Sequence, residues 1–173
     1  LENVAHIEGI ERIRFMTSHP KDVSHELIET VASVDKVCNH IHLPVQAGGN
    51  TTLSAMNRGY TREDYLRLVG EIKKRIPGVS LTTDIIVGFP GETREEFRAT
   101  LDLVKEVEFD NAFTFMFSPR KGTAAAEYGE QVSKDEKRER LHQLNQMQNE
   151  ISYRKNKQLE GKTLDVINSS SRS

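Results

Sequence analysis

The sequence predicts an α/β fold in which short strands alternate with amphipathic helices around one parallel sheet. Three observations carry this expectation. Apolar runs of strand length recur four times, each followed by helical spacing. Three of the helical segments open on Ser or Thr with an acid three residues on. Helices of this length between strands give right-handed parallel crossovers. With 173 residues, 36% hydrophobic and 29% charged, the chain can bury one core. It is short for a whole parallel barrel, which takes about 200 to 250 residues, so it reads as one domain or part of one.

The elements follow in order. Residues 13–17, IRFMT, read as a buried strand; after SHPKD, a helical pattern carries Leu27, Ile28 and Val31. Residues 40–46, HIHLPVQ, form the second strand and lead through AGGN into a helical stretch, TLSAMN. The next helix begins at Thr61 with Asp64 as a capping box, aligns Tyr65, Leu68, Val69 and Ile72, and stops at Pro77 and Gly78. A third strand over 81–89, LTTDIIVGF, ends in PGE. Thr93 and Glu96 then open a helix with Phe97, Leu101 and Val104 at helical spacing. The last strand is AFTFMFS at 112–118. After PRKGTAAAEYGEQV, Ser133 and Glu136 cap a long helix whose stripe is Leu141, Leu144, Met147 and Ile151, running out near Gly161. GKTLDVI, 161–167, begins something else, such as a strand of a following domain. The polar tail NSSSRS, 168–173, reads as disordered.

Composition excludes several classes. Twenty-four basic against 26 acidic residues give a net charge of -2, so no global basic field advertises nucleic acid and any RNA contact is local. No apolar run approaches the roughly 18 residues of a membrane span, and the first residues lack a signal-peptide layout, so a cytoplasmic protein is expected. The single cysteine, Cys38, excludes an internal disulfide and cannot alone build a thiolate metal site. It reads as a small core residue.

Ligands of parallel α/β folds bind where strands end, and three exits stand out. In HLPVQAGGN, His40, His42 and Gln46 share one side of a strand, with Pro44 perturbing it; Gly48 and Gly49 permit positive φ or close backbone approach to a ligand. The alternative is a buried polar pair followed by an ordinary turn, and the histidines fit a wall better than a metal site. In NRGY, the Arg58 guanidinium suits a carboxylate or phosphate, although an exposed arginine is commonly just solvated. In DIIVGFPGET, Asp84, Gly88, Pro90, Gly91 and Glu92 surround a sharp strand-to-helix turn whose Thr93 cap presents backbone N–H groups; a plain connecting turn is the alternative.

Taken together, HLPVQAGGN, AMNRGYTREDY, TTDIIVGFPGET and FTFMFSPRKGT, in this order and spacing, resemble the radical S-adenosylmethionine methylthiotransferases, in particular their tRNA-modifying, MiaB-like branch. RIRFMTSHPKD fits too, and GKTLDVI resembles the start of that family's small β-rich TRAM domain. The resemblance implies a partial (β/α) barrel of the radical SAM type, later strands only, over 1–160, with a TRAM-like start over 161–167. It implies S-adenosylmethionine and two [4Fe-4S] clusters as cofactors. The implied partners are the anticodon stem-loop of a tRNA and a sulfur donor, and the reaction is methylthiolation of an isopentenylated adenosine. Gln46 and Arg58 would contact the cofactor's ribose or methionyl carboxylate. Asp84 to Glu92, chiefly Gly88 to Gly91, would pass its adenine. Ser118, Pro119 and Arg120 would lie toward the substrate.

The chain departs from that family where Ala47 and Gly49 replace serines, and where Lys121 and Ala124 replace prolines. Its largest departure is the absence of the cysteines that hold both clusters. The expectation is a fragment, inactive alone, of a tRNA methylthiotransferase. A ribosomal-protein methylthiotransferase, or a non-catalytic RNA-binding half-barrel, is the alternative.

Overall fold

A computed structural model describes residues 1–16, 19–129 and 131–164. In chain order its elements are α1 (Glu2–Ala5), α2 (His25–Ser33), β1 (His40–His42), α3 (Asn50–Ala55), α4 (Arg62–Arg75), β2 (Ser80–Val87), α5 (Arg94–Val107), β3 (Asn111–Met116), α6 (Ala124–Glu127) and α7 (Lys134–Lys157). The strands form a parallel sheet in the order β1-β2-β3, with His40 opposite Ser80 and Asp84 opposite Phe113.

The strands expected over 81–89 and 112–118 end at Val87 and Met116, and the other two fall further short of their apolar runs. Residues 13–16 form no ladder: Ile13 makes a single parallel bridge to Val37, on the stretch leading into β1. The second strand stops at His42 because Pro44 has no N–H to give to a ladder. Extended pairing still persists beyond it, through Leu43 N–H to Thr82 and a bridge between Gln46 and Ile85. The expected TRAM-like start and tail lie, from residue 165 onward, outside the described residues.

The helix starts behave as their sequences dictate, with one refinement. Ser24, Thr61, Thr93 and Ser133 each accept from the N–H three residues on, but among the three expected boxes only Thr61 and Asp64 close reciprocally. Glu96 instead reaches back to the Thr52 N–H of α3 (2.9 Å), and Glu136 to Arg140 (2.6 Å). The Glu96 partner is created by the fold, whereas Arg140 lies one turn on in the same helix.

One face of the sheet is dry. Ile41, Leu43 and Val45 join Leu81, Ile85 and Val87 against Tyr65, Ile72, Leu103, Val104 and Leu144 of the helices. The buried stripe of α7 is partly polar: Lys137, Arg140 and Gln148 share it with Leu144 and Ile151, while Leu141 and Met147 are only half-buried. These polar groups donate to backbone carbonyls beside the strands, such as the Gln148 amide nitrogen to the Phe109 carbonyl at 2.8 Å, while the Gln148 Oε1 is buried without a partner among the described residues. On the opposite face, Thr82, Asp84 and Ile86 are half-buried, and Phe113 and Phe115 are 50% and 53% exposed.

Candidate functional site at the strand ends

The exit of β1 is held by side chains where the ladder fails. Val45 N–H donates to the Thr83 hydroxyl at 3.0 Å, and the Leu43 and Val45 carbonyls accept from the Tyr65 and Tyr60 hydroxyls at 2.8 and 3.0 Å. Burial pushes the Tyr60 hydroxyl up to about 12, against the nearby Arg58 charge, and pushes Tyr65 well above the usual tyrosine range. Both therefore remain donors.

Gln46 then adopts φ 69 while its N–H and C=O still bond Asp84 and Ile86, at 2.9 and 2.8 Å. Ala47 N–H closes back on the Val45 carbonyl at 2.9 Å, making a tight three-residue turn centred on Gln46. A positive φ in such a turn is rare and strained for a residue with a side chain. Gln46 is only 8% exposed.

The glycines expected to approach a ligand do something else. A Cβ on Gly48 would sit 2.4 Å from the Thr100 Cα, and one on Gly49 would collide with the Glu96 carboxylate. Gly48 N–H donates to the Thr100 hydroxyl at 2.9 Å. Their smallness lets this turn press on α5, and Gly49 has an ordinary φ of -98.

Arg58 follows α3 between two left-handed residues, Asn57 (φ 55) and Gly59 (φ 68), with its own N–H on the Leu53 carbonyl at 3.0 Å. Its Nε is buried without a hydrogen-bond partner among the described residues. A buried cationic N–H in that state is costly until an acceptor reaches it.

At the β2 exit, Gly88 (φ 72) and Gly91 (φ 78) supply the positive φ. Glu92, expected to face a ligand, is turned into the protein: its carboxylate accepts from Gly88 N–H at 3.0 Å and from Arg140 at 2.5 Å, with side-chain exposures of 1% for Glu92 and 5% for Arg140. Burial pushes its carboxyl up, opposed by the Gly88 N–H and the guanidinium, which favour the ionised form. Glu92 thus holds the turn.

A pocket of about 620 Å³ opens on the inner face at the strand ends. It brings together Gln46 and Asp84 with Ser118 and Arg120, over a floor that includes Ile86, Phe115 and Phe117. Arg58, Gly88, Pro90, Gly91 and Glu92 are not in its lining. The aromatic floor was missed in the sequence, although Phe113, Phe115 and Phe117 alternate as one face of a strand does. Behind Asp84 the inner face is polar: His40 Nε2 and His42 Nδ1 each lie 3.0 Å from the Thr82 hydroxyl, and His42 Nε2 lies 3.4 Å from Asp84 Oδ1. Burial, then the charges of Arg14 and His42, lower the His40 pKa.

A carboxylate, a carboxamide and an apolar floor suit a ligand with polar edges and an apolar face. They do not suit an iron–sulfur cluster. Such a cluster takes several thiolates; the chain has one cysteine, and the described residues hold no group of three or more His, Cys, Asp or Glu able to share a metal ion.

Comparison with known proteins places the chain in a family. The tRNA-2-methylthio-N(6)-dimethylallyladenosine synthase of Moorella thermoacetica is 56% identical over 167 residues, covering 96% of this chain and 38% of that protein. The enzyme of the same name from Clostridium botulinum strain Hall is 57% identical over 167 residues, covering 96% and 37%. The chain therefore spans little more than a third of these relatives. Coproporphyrinogen III oxidase (HemN) from Escherichia coli, a radical SAM enzyme, superposes with a TM-score of 0.63 at 20% identity, over 77% of this chain and 31% of that one, a likeness of fold. The profile of the Radical SAM superfamily matches residues 1–104, and the chain belongs to that superfamily.

Proposed function

We propose that this chain is the cofactor-holding part of a tRNA methylthiotransferase that adds a methylthio group to an isopentenylated adenosine beside the anticodon. The observation that carries the reading is the 56–57% identity to synthases of that name across 96% of the chain, which includes every strand exit described above. S-adenosylmethionine lies across the strand ends. Gln46 and Asp84 take its polar edges, Arg58 its methionyl carboxylate, and the backbone of Gly88, Pro90 and Gly91 passes its adenine. Ser118 and Arg120 stand on the tRNA side. When bound, this cofactor supplies the radical chemistry of the superfamily.

The finer architecture belongs to the same reading. The sheet is the later part of a (β/α) barrel whose inner face is completed by strands outside this sequence, and 161–167 begin a TRAM-like RNA-binding domain. Two [4Fe-4S] clusters and their cysteines, together with the sulfur donor, belong to the full-length cytoplasmic enzyme. Among the described residues no helix is long and apolar enough to cross a membrane.

The test is Arg58→Ala in the full-length enzyme. Loss of a charge-assisted contact weakens S-adenosylmethionine binding by about 1.5 to 3 kcal/mol, read by equilibrium dialysis. Unchanged affinity removes Arg58 from the site. This polypeptide alone is expected to take up no cluster on anaerobic reconstitution; about four irons per chain would overturn that.

A further inference from the structure

We infer that His42 is a positioning residue that sets the orientation of the Asp84 carboxylate in the pocket. The inference rests on the cofactor reading above and deepens it. Asp84 lines the pocket with its side chain 31% exposed, whereas the His42 side chain behind it is 4% exposed. Both imidazole nitrogens have partners: Nδ1 the Thr82 hydroxyl at 3.0 Å, and Nε2 the Asp84 Oδ1 at 3.4 Å. The edge of Phe113, centroid to centroid at 6.1 Å and 67°, limits rotation of the ring.

Donor and acceptor chemistry orders this column. A carboxylate only accepts, so the nitrogen facing it carries a proton. A neutral ring is then bare at Nδ1 and accepts from the Thr82 O–H. The Thr82 oxygen is left to accept from His40 Nε2, also at 3.0 Å. The contacts therefore run in one direction, from His40 through Thr82 and His42 to Asp84. Second partners of this kind fix tautomer and orientation in functional sites. The consequence is that His42 engages one carboxylate oxygen and the other accepts a hydrogen from the cofactor. Thr82, Asp84 and His42 come from neighbouring parallel strands in register, His42 being paired with Thr82, so the arrangement stands on rigid backbone.

The experiment has a binding arm and a spectroscopic arm, both on the full-length enzyme. Asp84→Asn is expected to weaken S-adenosylmethionine binding about tenfold, and His42→Phe, which keeps a ring against Phe113 without its nitrogens, by a similar factor. The double variant is expected to bind no worse than Asp84→Asn alone, since the histidine acts through the carboxylate. Losses that multiply overturn the positioning role, as does a loss at Asp84 with none at His42; either leaves the cofactor reading standing. No loss at Asp84→Asn overturns the cofactor reading at this carboxylate, and with it the role assigned to His42. In the wild-type protein, ¹⁵N spectra of the histidine rings are expected to show His42 protonated at Nε2 and bare at Nδ1, with Thr82→Val perturbing that state. A ring protonated at Nδ1 and bare at Nε2 overturns the assigned column, even where His42→Phe fails to fold.

Discussion

The two strand exits that flank the pocket solve the same geometric problem in opposite ways. After β2 the positive φ falls on glycines, Gly88 and Gly91, and a buried ion pair between Glu92 and Arg140 clamps the turn from behind. After β1 the positive φ falls on Gln46, a residue with a side chain, while the neighbouring glycines have their Cα atoms against α5. At one exit the backbone is relaxed and the acid is consumed by structure; at the other the backbone is strained and a carboxamide is held at the pocket. Strain kept where a ligand-facing group is needed is a pattern of functional sites.

The contrast can be broken at its strongest point first. Arg140→Ala leaves the Glu92 carboxylate buried without its partner, and is expected to cost about 3 to 5 kcal/mol in urea unfolding of the full chain. A cost below about 1 kcal/mol, the value of an exposed pair, would show that the clamp is not what holds this turn. Next, Gly48→Ala drives a methyl into the Thr100 backbone at 2.4 Å, and is expected to lose about 1 to 3 kcal/mol by overpacking. If it were neutral, the packing role of that glycine would fall. Gln46→Gly has the opposite sign: removing the side chain at φ 69 relieves about 1 kcal/mol of backbone strain. The melting temperature is expected to hold or rise while S-adenosylmethionine affinity falls. Falling together, the two would make Gln46 merely structural.

The smallest effect is in pH. The His40 pKa is lowered chiefly by burial, then by the charges of Arg14 and His42. The unfolded chain therefore binds this proton first, and stability drops as pH falls below the ordinary histidine range and toward the folded value. His40→Gln is expected to flatten that slope in melts taken between about pH 7 and 5, around the ordinary histidine value; an unchanged slope would assign it to other groups.

Much of the frame was legible because it is written in local periods. Thr61 and Asp64 cap α4 as their spacing requires, and the alternation LTTDIIV places every second residue of β2 in the core. What failed did so where a distant group competed. The IRFMT run carries a strand's apolar content, yet among its described residues Ile13 alone makes a bridge, to Val37. Glu96 matches a capping box, yet Thr52, 44 residues away, claims it. For the site, Gln46 and Asp84 were legible as the polar ends of strands that meet in one pocket. The aromatic floor and the diversion of Glu92 were not.

By itself the sequence determined the alternation of strands and helices, their caps, the absence of a cluster-forming cysteine set and the strand ends at which to look. These depend on neighbours within a few residues. Only the tertiary structure decided which acid is offered and which is spent. Asp84 meets His42 across the β1–β2 ladder and stays at the pocket, while Glu92 meets Arg140, 48 residues away, and is withdrawn. It also decided that Gln46, rather than a glycine, bends the chain at the site. The physical reason is the same in each case: a polar group goes to the partner that burial brings to it, and that partner is chosen by packing between elements far apart in the chain.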